Sequence, residues 1–276
     1  MRAALHRVGR AAVAALYDEL ALAPKPGLVS FEGSGSHRDM DARTFMRSLF
    51  ALRHSFPRLA VLGAADAPFE ALQAEGIAAE AAMLQATGGV NTHRGAIFSL
   101  GLLCACAGRL QAQGAPLQPE RLRATLVERW GDALRERSRR ISPSQGQRAA
   151  QRFGLRSAGT EAALGFPVLF EVTAPALQQS LQRGMPEQQA RIDALFHTIA
   201  VLDDTNLAHR GGVAGLRDAQ RLARGFLRAG GAARRGGLIH ARTIHQQFVS
   251  RHLSPGGSAD LLAAACWLQR VCQPGR

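Results

Sequence analysis

Apolar positions recur at helical spacing almost from the first residue of this chain. Over residues 4–22, Leu5, Val8, Ala12, Leu16 and Leu20 fall on one helix face. Pro24, Pro26 and Gly27 end that run, because two prolines and a glycine cannot continue a helix. A polar stretch follows from Ser30 to Asp39. Asp39 or Asp41 is placed to cap the next helix, whose buried stripe is Phe45, Leu49, Leu52 and Phe56. Residues 63–69 read as a turn, and a helix over about 70–86 sets Glu80, Leu84 and Thr87 on a shared face. The glycine-rich loop 87–95, TGGVNTHRG, then feeds an apolar helix carrying Ile97, Leu100, Cys104 and Ala107.

Residues 111–158 carry the weakest pattern, with one helix predicted near 119–138 and a basic stretch, Arg135 to Arg140, that reads as a solvated helix face. From 187 the stripe Ile192, Leu195, Phe196, Ile199 and Leu202 predicts a helix that runs into Asp203-Asp204-Thr205-Asn206. Further helices are predicted at about 213–229, 238–252 and 257–272, the last two separated by Pro255-Gly256-Gly257. No convincing strand alternation and no internal repeat interrupts this series. The expectation is an all-α, single compact domain over residues 1–276, with roughly ten helices and glycine-rich ligand-binding loops at helix ends.

Composition agrees with helices. Hydrophobic residues make up 46% and aromatics only 5%, so the core is built from Ala, Leu and Val, which suit close-packed helices better than a sandwich. No uninterrupted apolar run reaches the roughly 18 residues that would span a bilayer. Charges break up the N-terminal segment, which reads as an amphipathic helix and not a signal peptide. Cys104, Cys106, Cys266 and Cys272 form no CxxC pair and suit buried thiols in a reducing compartment, so a cytoplasmic location without membrane is expected. The net charge of +13 invites a nucleic-acid partner, but the basic residues are scattered, without a tail or interleaved aromatics. Small polyphosphates fit that charge equally well, and no nucleic acid is expected.

Rarity sharpens the search for chemistry. Lys25 is the single lysine, and Asn91 and Asn206 are the two asparagines. All three stand in segments rich in Gly, Asp or His. Gly88, Gly89, Asn91, Thr92, His93 and Arg94 lie at a helix N-terminus, where free N–H groups and the helix dipole favour anions. The order GxxxxGK[ST] is absent, so this is not a Walker A loop. Lys25, stiffened between prolines, is a candidate triphosphate contact. Ser36 to Asp41 packs His37, Asp39 and Asp41 together. Asp203-Asp204 is read as a second acidic pair, at a helix C-terminus, where the dipole disfavours anions and a bound Mg²⁺ would compensate. Glu80, an acid in an Ala-rich helix, needs a partner or a metal if buried.

These loops, in this order, resemble the triphosphoribosyl-dephospho-CoA synthase family, which serves citrate lyase or malonate decarboxylase. The resemblance rests on Pro24 to Val29, Gly35 to Asp41 and Ala79-Glu80, then on residues 87–101 (TGGVNTHRGAIFSLG). It continues through Glu161-Ala162, Gly165-Phe166-Pro167, Asp204-Thr205-Asn206 and His209 to Gly212. It spans roughly residues 14–265. Arg94 stands where the family commonly has Lys, and Gly159 where an Arg is expected, with Arg156 nearby. Ser254 to Asp260 and Val29-Ser30 look more like the malonate decarboxylase branch.

The resemblance implies a pentosyltransferase using ATP and 3′-dephospho-CoA. The 2′-hydroxyl of dephospho-CoA attacks C1 of the ATP ribose, adenine leaves, and the triphosphate is retained. The product then passes to a separate acyl-carrier-protein transferase; a homodimer is compatible with this reading. It implies catalytic candidates His37, Asp39, Asp41, Glu80 and Asp204, and Mg²⁺ held by Glu80, Asp203 and Asp204. Substrate-binding candidates are Lys25, Gly89, Asn91, Thr92, His93, Arg94, Asn206, His209, Arg210 and Gly211. His37, His93 or His209 would serve as base or acid, a choice the sequence leaves open. Another helical Mg²⁺-dependent hydrolase of nucleotides or ADP-ribose would carry similar acids and loops.

Overall fold

The computed structural model describes residues 1–139 and 144–272, so Arg140, the end of the basic stretch, lies outside the described residues. Among them the regular elements are helical: α1 (Arg2–Ala21), α2 (Ala42–Leu52), α3 (Ser55–Ala64), α4 (Phe69–Thr87) and α5 (Arg94–Ala112). There follow α6 (Pro119–Arg139), α7 (Gln145–Phe153), α8 (Ala158–Ala163), a π-helical turn (Leu169–Thr173) and α9 (Ala174–Gln182). The chain closes with α10 (Glu187–Val201), α11 (Thr205–Arg228), α12 (Gly237–Ser250) and α13 (Gly256–Cys272). The all-α expectation holds. The tally exceeds ten because the segment read as one helix with Phe45, Leu49, Leu52 and Phe56 is two, broken at Arg53-His54, and because 145–182 holds short helices of weak periodicity.

One hydrophobic core joins residues from α1 through α13. At its centre lies α5, whose Ala96, Leu100, Leu103, Cys104, Ala105 and Cys106 are fully or almost fully buried. By length and composition α5 could cross a membrane, but most of it is buried inside the protein, so its apolar character serves the core. Small residues let α3 approach it. A Cβ on Gly63 would collide with the Ala105 backbone, and one on Gly108 with that of Ala60. This close approach explains a core rich in alanine and poor in aromatics. The two tryptophans are buried, their Nε1–H groups donating to Ala67 O and Val8 O, each at 3.1 Å. Cys104, Cys106 and Cys266 are buried free thiols.

Two helix ends differ from the sequence reading in ways that bear on function. The helix predicted at 213–229 begins at Thr205, with Asp204 as its N-cap: Oδ1 accepts from Asn206 N–H at 3.0 Å and Leu207 N–H at 3.4 Å. Asp203-Asp204 therefore does not end α10, which stops at Val201; Asp204 sits at the positive end of the next dipole. The glycine pair 211–212 is absorbed within α11 as a kink in which Gly212 takes φ +63°. At α2, Asp41 forms a capping box with Thr44, its Oδ1 accepting from Thr44 N–H and Oγ1–H at 2.8 Å each.

Candidate functional site

The loop joining α1 to α2 is pinned to the far end of the chain. Gly27 and Gly35 both have positive φ, and a Cβ on either would strike backbone, Leu253 O in the first case and Gly27 O in the second. Ser36 Oγ–H donates to Leu253 O at 2.6 Å. Glycine here lets the loop lie directly on the α12–α13 connection, and that crossing closes one side of a cavity of about 360 Å³.

Six further segments complete the wall, α2 through Phe45 and α7 through Gln145 among them. α1 gives Leu16 and Glu19; the α4–α5 loop and the start of α5 give Asn91, Thr92, His93, Arg94 and Gly95. The first turns of α11 give Asn206, His209 and Arg210, and the start of α13 gives Gly256, Ala259, Asp260 and Ala263. Three helix N-termini thus open on one space. Of the sequence-derived candidates, His37, Asp39, Asn91, Thr92, His93, Arg94, Asn206, His209 and Arg210 line it together.

The remaining candidates lie elsewhere or behind the wall. Lys25 is not an open phosphate contact. It is 1% exposed, and its Nζ donates to Glu19 Oε1 and Glu19 O at 2.5 Å each. Burial lowers its pKa, against the pull of Glu19. Asp41 is spent on its capping box. Glu80 accepts from Arg94 Nε–H at 2.6 Å, a pair that steadies the rim. Asp203 faces a smaller pocket beside Arg156 and Glu161, and its Oδ2 accepts Arg156 N–H at 3.1 Å. Asp204 is 1% exposed and its Oδ2 takes both Ser258 N–H (2.8 Å) and Oγ–H (2.9 Å). Gly211 lets the Leu253 side chain approach α11, and Gly89 takes φ +88° just after α4.

Glu80, Asp203 and Asp204 therefore do not converge, and no group of three or more His, Cys, Asp or Glu among the described residues is set to hold a metal ion. Each expected ligand is already committed to a protein donor. These residues do not fit a resident magnesium site; a magnesium ion that travels with a nucleotide belongs to the substrate.

The histidines have defined states. His37 Nδ1 accepts from Arg210 Nη2–H at 3.0 Å, since a guanidinium only donates, so its Nε2 carries the hydrogen toward Ser254 Oγ at 2.9 Å. Burial first, then Arg210, pushes its pKa down to about 4. His93 is 3% exposed, with Phe45 edge-on at 4.8 Å, and burial and then Lys25 push it down to about 3. Its Nδ1 meets Ser48 Oγ at 2.6 Å. Its Nε2 is buried without a partner, as is Thr92 Oγ1. Both residues line the cavity. Arg210, held by Ser36 O (3.1 Å) and His252 O (3.3 Å), forms no ion pair within 4.0 Å among the described residues. It is a fixed positive charge at the rim, with Asp39 as its nearby countercharge beyond ion-pair distance.

Two acids of the wall escaped the sequence reading: Glu19, the partner of Lys25, and Asp260. Asp260 accepts Ala96 N–H at the start of α5. It keeps some opening to the cavity, yet burial, then Glu19 and Asp204, raise its pKa well above the usual carboxylate range.

A helical enzyme whose cavity combines helix N-termini, a free guanidinium and buried acids is suited to a polyanionic nucleotide and to transfer chemistry on it. Comparison with known proteins narrows that class. The ATP:dephospho-CoA triphosphoribosyl transferase family (CitG) matches residues 5–276. A protein of Citrobacter koseri, described as "Probable 2-(5''-triphosphoribosyl)-3'-dephosphocoenzyme-A synthase", is 40% identical over 268 residues, covering 94% of this chain and 88% of that protein. No solved structure matches. The chain belongs to the ATP:dephospho-CoA triphosphoribosyl transferase family, and it is a transferase.

Proposed function

We propose that this protein transfers the 5-triphosphoribosyl group of ATP to the ribose 2′-hydroxyl of 3′-dephospho-CoA. Adenine leaves, and 2′-(5″-triphosphoribosyl)-3′-dephospho-CoA is formed. The observation that carries the reading is the convergence of residues from widely separated segments on one cavity: His37 and Asp39, Asn91 to Arg94, and Asn206 to Arg210. The triphosphate, with the Mg²⁺ that accompanies it, lies against Arg210 and the N-termini of α5 and α11. The unpartnered Nε2 of neutral His93 and Thr92 Oγ1 supply hydrogen bonds to the sugar or base. Glu19 offers negative charge to an oxocarbenium-like ribose.

The resemblance around Ser254 to Asp260 favours malonate decarboxylase over citrate lyase as the destination, through a separate acyl-carrier-protein transferase. The free thiols suit a cytoplasmic location. The test is incubation with ATP and 3′-dephospho-CoA, followed by mass spectrometry. Adenine release that requires dephospho-CoA, with a product retaining all three phosphates, is expected; adenine release from ATP alone, or release of phosphate, would reject the reading.

A further inference from the structure

The cavity wall is divided by chemistry. Its exposed side carries Arg94, Asn206, His209 and Arg210. Its buried side, made where α1 meets α13, carries Leu16, Glu19, Ala259, Asp260 and Ala263. Ala259 and Ala263 of α13 line the cavity on either side of Asp260. A triphosphate is drawn to the Arg210 side of the rim and away from the Glu19 carboxylate. The buried side suits the other end of a nucleotide, its base. Space there is built around Asp260: Gly95 has no Cβ because one would collide with Asp260 Oδ2.

We propose that Asp260 is the acid that protonates the departing purine base, a step that rests on the transferase reading above. As the C1′–N9 bond of the ribosyl donor breaks, its electron pair passes to the base, and a ring nitrogen takes the proton from Asp260. The attacking 2′-oxygen bonds to C1′ and loses its proton to solvent, and Asp260 regains one from solvent. The surroundings keep the acid loaded. Glu19 on α1 and Asp204 before α11 face it as like charges, Lys25 lies behind Glu19, and on the α5 side His93 is neutral and Arg94 is tied to Glu80. The Ala96 N–H and the positive end of α5 favour its ionised form, and burial with the two like charges outweighs them.

The test is Asp260→Asn, which keeps shape and removes the labile proton. The kcat for adenine release should fall about 100-fold or more, the range set by general acid catalysis. ATP affinity should stay within about threefold, since the loss is confined to the transition state. Wild-type kcat should decline on the alkaline side as the acid ionises, and the residual rate of the variant should lack that decline. A variant that keeps more than about a tenth of wild-type kcat would overturn the proposal. So would a wild-type enzyme with no alkaline decline, a readout independent of how the variant folds. Failure of the wild type to release adenine with dephospho-CoA would instead sink the transferase reading.

Discussion

Acid should weaken this fold through His93, by an amount the structure sets. The ring is buried, its pKa falls from 6.5 to about 3, and Lys25 opposes a second positive charge beside it. The unfolded chain therefore binds a proton that the folded chain refuses between those values, so stability is present above 6.5 and is lost as pH falls. At pH 5 the cost is about 2 kcal/mol, against a few tenths at pH 7. His93→Gln cannot titrate, and it removes the term while altering the Ser48 contact equally at both pH values. Urea denaturation of both proteins at pH 7 and pH 5 isolates it, because His37 and the acids titrate alike in each and cancel. The wild type should lose about 2 kcal/mol more than the variant over that interval. Equal losses would show that His93 takes up a proton in the folded state and would refute the account of its burial.

Other consequences follow from the same geometry. Lys25→Met leaves Glu19 buried without a cation beside Asp260 and should cost about 3–5 kcal/mol in urea denaturation; adding Glu19→Gln should recover most of it. Asp204→Asn replaces an acceptor oxygen where four donors converge, so it should lower stability by about 1–3 kcal/mol, visible as an earlier thermal transition. Arg210→Ala removes the rim charge and should weaken ATP binding about 10- to 100-fold by calorimetry; unchanged affinity would place the triphosphate elsewhere.

Much of the cavity was legible because its polar residues stand in glycine-rich runs between apolar stripes, and such runs fall at helix ends. His37, Asn91 to Arg94, Asn206, His209 and Arg210 are all of this kind. Pairing across the fold was not legible. Lys25 is rare and sits in a conspicuous motif, but its partner Glu19 lies on a helix whose local pattern offers no reason to single it out. The turn through Pro24 folds the lysine back on that helix. Asp203-Asp204 has the residue types of a binding site but caps the start of α11, whereas the apolar stripe of α10 running into it suggests the end of the preceding helix. An Asp followed by Thr-Asn-Leu is itself an N-cap signal. Asp260 was visible only as part of a loop motif, since its burial depends on α1, α5 and the segment at Asp204 arriving together.

The placement of acids explains how a cavity built for a polyanion can also hold a carboxyl cluster. A nucleoside triphosphate is strongly anionic at one end and uncharged at the other. In the proposed reading, helix N-termini and Arg210 attract the first end and the Glu19 carboxylate repels it, so both forces act in the same sense, while protonated Asp260 adds no charge. The direction of binding is set without a dedicated contact to every phosphate. On that same reading C1′ lies between the two ends, toward Glu19, where positive charge would develop as the base departs. The buried Lys25–Glu19 pair then has a physical purpose: the ammonium holds that carboxylate in one orientation facing the cavity, while being itself too enclosed to bind the phosphates.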